Sequence, residues 1–189
     1  MLIQHCAEIH YPTERVYHAF LHGMEQLPPW LPSIQQIEQT RFDLISPHQV
    51  EADYKWMIDQ KIIPSVLRPF FNMKHVRSTT TWCAQRRIVD FEFFHEEYRE
   101  LFDCHGTFVL KESGPNSMHI EILADLQPYP ERVPGMPAWV ARRSIPLIEK
   151  LIADILKPSL LALPEAIQAI TGIRDGVNTS AGQDSRLTG

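Results

Sequence analysis

Apolar and polar residues alternate with a period of two through much of this chain. The clearest run is VEADYKWMID, residues 50–59, in which every second residue from Val50 to Ile58 is apolar. Residues 118–126, MHIEILADL, repeat the pattern. A period of two is that of a β-strand with one buried face. By the same criterion we predict further strands at 2–10, 34–44, 76–84, 87–95 and 98–110.

The links between these predicted strands are short and polar. SPH at 46–48 and ESGPN at 112–116 each separate two alternating runs. Short links of this composition are typical of hairpins, so the strands should form an antiparallel sheet.

Two helical patterns flank the strands. After Pro12, apolar residues recur every three or four positions over 13–23, which predicts a short amphipathic helix. The following PPWLP at 28–32 permits at most one more helical turn. A broad apolar stripe over about 137–170 predicts a long C-terminal helix. Pro146, Pro158 and Pro164 lie within that stripe and predict kinks or breaks.

Composition limits the class of protein. With 189 residues, 44% of them hydrophobic, the chain is long enough for one domain with a full core, which we place at 1–171. The small, polar segment 172–189 is predicted to be a disordered tail. A net charge of −5 argues against a nucleic-acid partner. Three cysteines, an odd number with no CxxC pair, indicate reduced thiols and a cytoplasmic location.

The order of the predicted elements resembles the helix-grip fold of the START-related, polyketide-cyclase and pollen-allergen-like (SRPBCC) superfamily. Local motifs fit that resemblance: PTERVY at 12–17, PWLPSI at 29–34 and AWVARR at 138–143. The resemblance covers roughly 2–170. It implies an α+β fold in which a seven-stranded curved antiparallel sheet wraps around the long C-terminal helix, with two short helices after the first strand. The chain departs from the family pattern in its long 60–75 connection and in the prolines of its last helix.

The same resemblance implies a hydrophobic pocket between helix and sheet. Members of the superfamily bind or carry lipids, quinones and other apolar molecules, or cyclise polyketide chains. The expected function is therefore binding of a hydrophobic small molecule as carrier, sensor or chaperone. The predicted ligand-binding residues are inward-facing aromatic side chains and one histidine: Trp30, Tyr54, Trp56, Phe91, Phe93, Phe102, His105, Phe108 and Trp139. Taken singly, each aromatic residue is also explained as ordinary core.

Catalytic motifs are missing from the sequence. It contains no GxSxG, HExxH or Gly-rich phosphate loop, so we predict no catalytic residue and no cofactor. A cyclase or aromatase using the same cavity is the alternative, with Tyr54 and His105 as its polar participants. A protein-interaction module with a filled core is a third interpretation.

Two further features of the sequence are compatible with a functional role. Glu14, His18 and His22 lie four residues apart, a spacing that lets three side chains share a divalent ion. A solvated outer helix face explains the same spacing, and we predict no metal. The apolar segment 61–73, KIIPSVLRPFFNM, fits a lid, a dimer contact or a transient membrane contact. Burial against the domain is the interpretation that we favour, and the oligomeric state stays open.

Overall fold

The computed structural model describes residues 1–62, 74–95, 102–129, 132, 143, 146, 150, 154 and 157–173. Strand β1 covers Leu2–Ile9 and is followed by helix α1 at Thr13–Gly23. Single 3₁₀ turns at Met24–Gln26 and Pro28–Trp30 then lead into the main run of strands. Those strands are β2 (Ile34–Ser46), β3 (Gln49–Ile58), β4 (His75–Cys83), β5 (Ile88–Phe94), β6 (Phe102–Gly114) and β7 (Ser117–Pro128).

The strands form one antiparallel sheet in the order β1-β7-β6-β5-β4-β3-β2. All six pairs of neighbouring strands are antiparallel, and five of them join strands that are consecutive in sequence. The sixth pair joins β1 to β7, and the sheet is open, with β1 and β2 as its two edge strands. The predicted seven-stranded antiparallel sheet is confirmed.

Burial follows the period that predicted the strands. Along β3 every second residue from Val50 to Ile58 is buried, and the residues between them are only half-buried. Strand β4 shows the same alternation. The buried face of the sheet carries the core, because a period of two places all of a strand's apolar residues on one side.

Helix α1 begins where the sequence predicts. The carbonyl of Pro12 accepts hydrogen bonds from the backbone N–H groups of Arg15 and Val16, at 3.0 and 3.1 Å. Val16, Ala19 and Phe20 are buried, so the apolar stripe of the helix packs on the inner face of the sheet.

The C-terminal helix, α2, covers 157–173, and residues 143, 146, 150 and 154 are also helical. It continues through Pro164, so the expected break does not occur at this position. Leu163, Ala166, Ile167 and Ile170 are buried within the core cluster. Pro164 removes one backbone hydrogen bond of the helix. Burial of the stripe offsets that loss, because each large apolar side chain that is buried contributes about 1.5–3 kcal/mol. The helix also extends two residues past the predicted domain end at 171, and 174–189 lie outside the described residues.

Candidate ligand-binding cavity

A cavity of about 60 Å³ lies between α1, α2 and the inner face of the sheet. A single water needs roughly 10–15 Å³ of such space, so the cavity is large enough for a small organic molecule. Its wall is almost entirely apolar. The described lining residues are Phe20, Met24, Leu31, Ile34, Trp56, Ile58, Val76, Thr80, Phe91, Phe93, Cys104, Phe108, Ser159, Leu160 and Leu163.

Aromatic rings form one side of this wall. Phe91 stacks on Phe108 with ring centroids 4.7 Å apart, and its edge-on contact with Phe93 is 5.5 Å. Trp56 meets Phe93 at 5.2 Å, and Phe20 of α1 meets Phe108 at 5.5 Å. Rings at these separations hold one another in place, because edge-to-face and offset contacts are favourable. The cavity therefore has a preformed aromatic wall.

Gly106 makes room for the central ring of that wall. A Cβ at this position would lie 2.5 Å from the ring of Phe91 and 2.3 Å from the backbone oxygen of Leu123. Phe91 and Gly106 are paired across β5 and β6, so the ring packs on the bare backbone opposite it. The one sign of this contact in the sequence is a glycine inside an alternating run.

Three of the described lining residues carry a hydrogen-bonding N or O atom in their side chain, and two of these atoms are already paired. The indole N–H of Trp56 donates to Ser78 Oγ at 2.8 Å. Thr80 Oγ1 donates to the carbonyl of Ala52 at 2.9 Å and accepts from the indole N–H of Trp82 at 2.8 Å. The third, Ser159 Oγ, is buried and has no hydrogen-bond partner in the part of the chain that the structure describes.

Cys104 is the only acidic group on the described wall, and burial keeps it neutral. Its thiol is 3% exposed, and burial raises its pKa to about 12, with Asp125 adding to the effect. The described lining residues include no Asp, Glu, Lys, Arg or His. A wall of this kind suits an uncharged ligand, because a charge would lose its hydration without gaining a partner.

Of the nine predicted binding residues, Trp56, Phe91, Phe93 and Phe108 line the cavity. The other described ones do not. Tyr54 is fully buried in the core, and burial together with the charge of Glu25 raises the pKa of its hydroxyl above the ordinary value. Trp30 packs half-buried against the core. Phe102 is buried but is not part of the described wall. Trp139 lies outside the described residues.

The inward orientation expected of His105 is wrong. Its neighbour Cys104 is buried and lines the cavity, so the alternation of β6 puts His105 on the exposed face. There its cross-strand neighbours are Glu92 and Asp125. Tyr54 and His105, the predicted polar pair of a cyclase, are therefore not brought together in the cavity.

Several wall residues were missed because they come from helices and loops. The spacing of α1 identified Phe20 as buried, and the C-terminal stripe included Leu160 and Leu163, but neither pattern says which buried residues border a space. Ser159 lies beside the stripe and carried no signal in the sequence.

The three residues of α1 with metal-ligand spacing, Glu14, His18 and His22, are not arranged as a metal site. The rings of His18 and His22 lie 4.5 Å apart, but Glu14 pairs with Arg87 at 2.8 Å. Among the described residues, no group of three His, Cys, Asp or Glu side chains is arranged to hold a metal ion. Nor is any described helix long and apolar enough to cross a membrane.

No family model and no curated protein match this sequence. Solved structures do match it over most of its length. The Zhui aromatase/cyclase from Streptomyces sp. R1128 superposes with a TM-score of 0.62 at 9% identity, covering 92% of this chain and 94% of that one. A START superfamily protein from Mycobacterium smegmatis gives 0.51 at 14% identity, with 89% and 98% covered. The chain has the helix-grip fold.

Norcoclaurine synthase from Thalictrum flavum shares this helix-grip fold, with a TM-score of 0.54, 15% identity and coverage of 90% and 85%. At such identities the likeness concerns the fold alone. The predicted helix-grip architecture is confirmed, and the space between its helix and its sheet is where the cavity lies.

Proposed function

We propose that this protein binds an uncharged hydrophobic small molecule in the cavity, as a carrier, sensor or chaperone for that molecule. The observation that supports this proposal is the preformed aromatic wall, with Phe91, Phe93 and Phe108 around unfilled space. A protein core is normally packed without voids of this size, so an empty apolar space favours a ligand.

Proteins of the same fold act on small molecules, which also supports the proposal. One is an aromatase/cyclase, and norcoclaurine synthase has been solved in complex with dopamine and hydroxybenzaldehyde. The described cysteines, Cys6, Cys83 and Cys104, are free thiols, and a cytoplasmic location is part of the proposal for that reason.

The test uses an uncharged fluorescent probe and a matched pair of variants. N-phenyl-1-naphthylamine should bind the native protein with a stoichiometry near one. Leu160 lines the cavity and is 8% exposed, whereas its neighbour Leu161 is 41% exposed. Leu160→Trp should fill the cavity and abolish probe binding, and Leu161→Trp should bind as the native protein does.

Native mass spectrometry of freshly purified protein adds a second readout, since a retained apolar molecule would identify the ligand's chemical class. Equal binding by the two tryptophan variants would place the probe elsewhere. No binding by the native protein, together with an empty mass spectrum, would overturn the proposal.

A further inference from the structure

Strand β2 is an edge strand whose second half is exposed on both faces. It pairs with β3 alone, and every residue from Glu38 to Ile45 is exposed. Three large apolar side chains lie in this stretch, Phe42 at 37%, Leu44 at 69% and Ile45 at 52% exposure. Residues 38–45 contain neither lysine nor proline, which commonly protect an edge. An exposed apolar edge of this kind is a template for pairing with another strand.

The hydrogen bonds at the end of β3 show which of its backbone groups point to β2. The backbone N–H of Ile58 donates to the carbonyl of Lys74, next to β4, at 3.1 Å. The backbone N–H of Asp59 donates to the carbonyl of Ser33, next to β2, at 3.0 Å. Backbone groups alternate between the two neighbouring strands, and the pairing of β3 with β4 has a continuous register. Odd-numbered residues of β3 therefore point to β2.

This alternation identifies the outward-pointing backbone groups of β2. The register with β3 is regular over 41–44, between two irregularities. Arg41 and Asp43 are paired with odd-numbered residues of β3, so their backbone groups point into the sheet. Phe42 and Leu44 are paired with even-numbered residues, and their N–H and C=O groups point away from the sheet.

The charges of this stretch complement a second copy of it. Two antiparallel strands exchange hydrogen bonds where outward-pointing residues lie opposite each other, as Phe42 would lie opposite Phe42 of a second copy. Arg41 then lies opposite Asp43 of the second copy, and the twofold axis repeats the pair. Both side chains are accessible, at 44% and 55% exposure. The adjacent registers place Arg41 opposite Arg41, or Asp43 opposite Asp43, and like charges in these positions are destabilising.

We propose that β2 pairs antiparallel with β2 of a second copy of this chain, about a twofold axis at Phe42, and joins the two sheets into one. The partner is another molecule of the same protein, because the apolar and charged residues of the edge are complementary to themselves. The paired stretch is short, and stable interfaces bury about 1,200–2,000 Å². The dimer should therefore be weak and should form as the protein concentration rises.

Sedimentation velocity over a range of concentrations measures the Kd of this dimer for native protein, Arg41→Asp, Asp43→Arg and an equimolar mixture of the two variants. Each variant alone places like charges opposite each other at both cross-copy pairs, so its Kd should rise about 10-fold or more. The mixture restores opposite charges at both pairs and should associate with nearly the native Kd. The Tm of each variant shows whether it is folded.

Cysteine substitution tests the register separately, in a Cys6→Ser/Cys83→Ser background that leaves only the buried Cys104. Phe42→Cys places two thiols opposite each other with Cα atoms about 5.5 Å apart, within the range of a disulfide. Leu44→Cys is the matched control on the same edge, because its two Cα atoms would be roughly 14 Å apart. Mild oxidation should give a disulfide-linked dimer of Phe42→Cys and leave Leu44→Cys monomeric.

Several results would overturn the proposal. Native protein that stays monomeric up to about 1 mM has no such dimer. An Asp43→Arg Kd equal to the native one would place the contact elsewhere, and cross-linking of Leu44→Cys in preference to Phe42→Cys would contradict the register. Assemblies larger than a dimer would contradict a twofold contact, which closes on itself. If Arg41→Asp fails to fold, Asp43→Arg and the two cysteine variants still decide the question.

Discussion

Two cysteines of this protein have opposite chemical environments. The side chain of Arg86 hydrogen-bonds Cys83, the half-buried last residue of β4, and lowers the pKa of that thiol. Cys104 lies on the cavity wall, where burial raises the pKa to about 12. The thiolate is the reactive form of cysteine, so the two residues should differ strongly in reactivity.

Iodoacetamide at pH 8 should therefore alkylate Cys83 much faster than Cys104 in the native protein. At this pH only roughly one Cys104 thiol in 10⁴ is ionised, given the raised pKa. Peptide mass spectrometry after timed quenching measures both rates. In 6 M guanidinium the two rates should converge, and similar rates in the native protein would contradict the buried position of Cys104.

At the scale of single elements, contacts between neighbours decide what the strands tolerate. Gly106 of β6 has backbone on one side and the ring of Phe91 on the other. Arg87, in the turn between β4 and β5, pairs with Glu14 of α1 at 2.8 Å and with Glu112 of β6 at 3.1 Å. The contact of Gly106 with Phe91 shapes the cavity wall. The two ion pairs of Arg87 connect α1, the β4–β5 turn and β6.

Gly106→Ala should destabilise the protein by about 1–3 kcal/mol, because the new methyl group collides with backbone that cannot move aside. It should also weaken binding of N-phenyl-1-naphthylamine, since Phe91 must shift. Urea denaturation and probe titration measure the two effects. Gly114→Ala is the control: its Cβ would meet only the flexible Ser117 side chain, at 2.9 Å, and we expect a smaller loss. Equal losses would show that Gly106 is not a special position.

Arg87 has a backbone φ of 54°, in the left-handed region that few non-glycine residues adopt. Arg87→Asn keeps a residue that tolerates this conformation and removes both ion pairs, so it should cost no more than about 2 kcal/mol. Arg87→Ala should cost more. Thermal unfolding at 0.05 and 1 M NaCl checks the assignment: the difference between native protein and Arg87→Asn should shrink at high salt. A difference that does not depend on salt would contradict an ion-pair origin.

At the scale of the whole molecule, acidic groups that are buried or half-buried should make the fold sensitive to alkaline pH. Burial raises the pKa of Cys104 from 9.0 to about 12 and that of Tyr17 from 10.0 to about 12. Burial shifts Tyr54 in the same direction. These groups stay protonated in the folded protein while the same groups ionise in the unfolded chain. The free energy of unfolding must then fall as pH rises above 9, and these groups contribute nothing to its pH dependence at neutral pH.

Urea denaturation from pH 8 to 10 should show this loss, with a slope of at most about 1.4 kcal/mol per pH unit for a single group. Between pH 9 and 10 the slope should come mainly from Cys104, because the tyrosines of the unfolded chain are still mostly protonated. Cys104→Ala should flatten that part of the curve, and Cys83→Ala should not. A Cys104→Ala curve with the native slope would refute the assignment.

The fold was largely predictable because its signals are local. Alternation along 50–59 and 118–126 identified strands by their own residues, and the spacing after Pro12 located α1 as observed. The effect of Pro164 on α2 was less predictable, because the burial that lets the helix continue through this residue depends on residues far away in sequence. The binding site was predicted only in part: Trp56, Phe91, Phe93 and Phe108 line the cavity, and Tyr54 and His105 do not.

Hydrophobic periodicity therefore indicates the elements, their order and the buried face of most strands, because it is set by residues two to four positions apart. Three features are visible only in the folded chain: the space between the buried faces, the contact of the Phe91 ring with Gly106, and the unpaired Ser159 hydroxyl. The space and the unpaired hydroxyl depend on how α2 packs on the sheet, whereas the contact of Gly106 depends on the pairing of β5 with β6. Packing between residues that are distant in sequence sets the position of α2 and the pairing of the strands. A pattern that repeats every two to four residues does not indicate such packing.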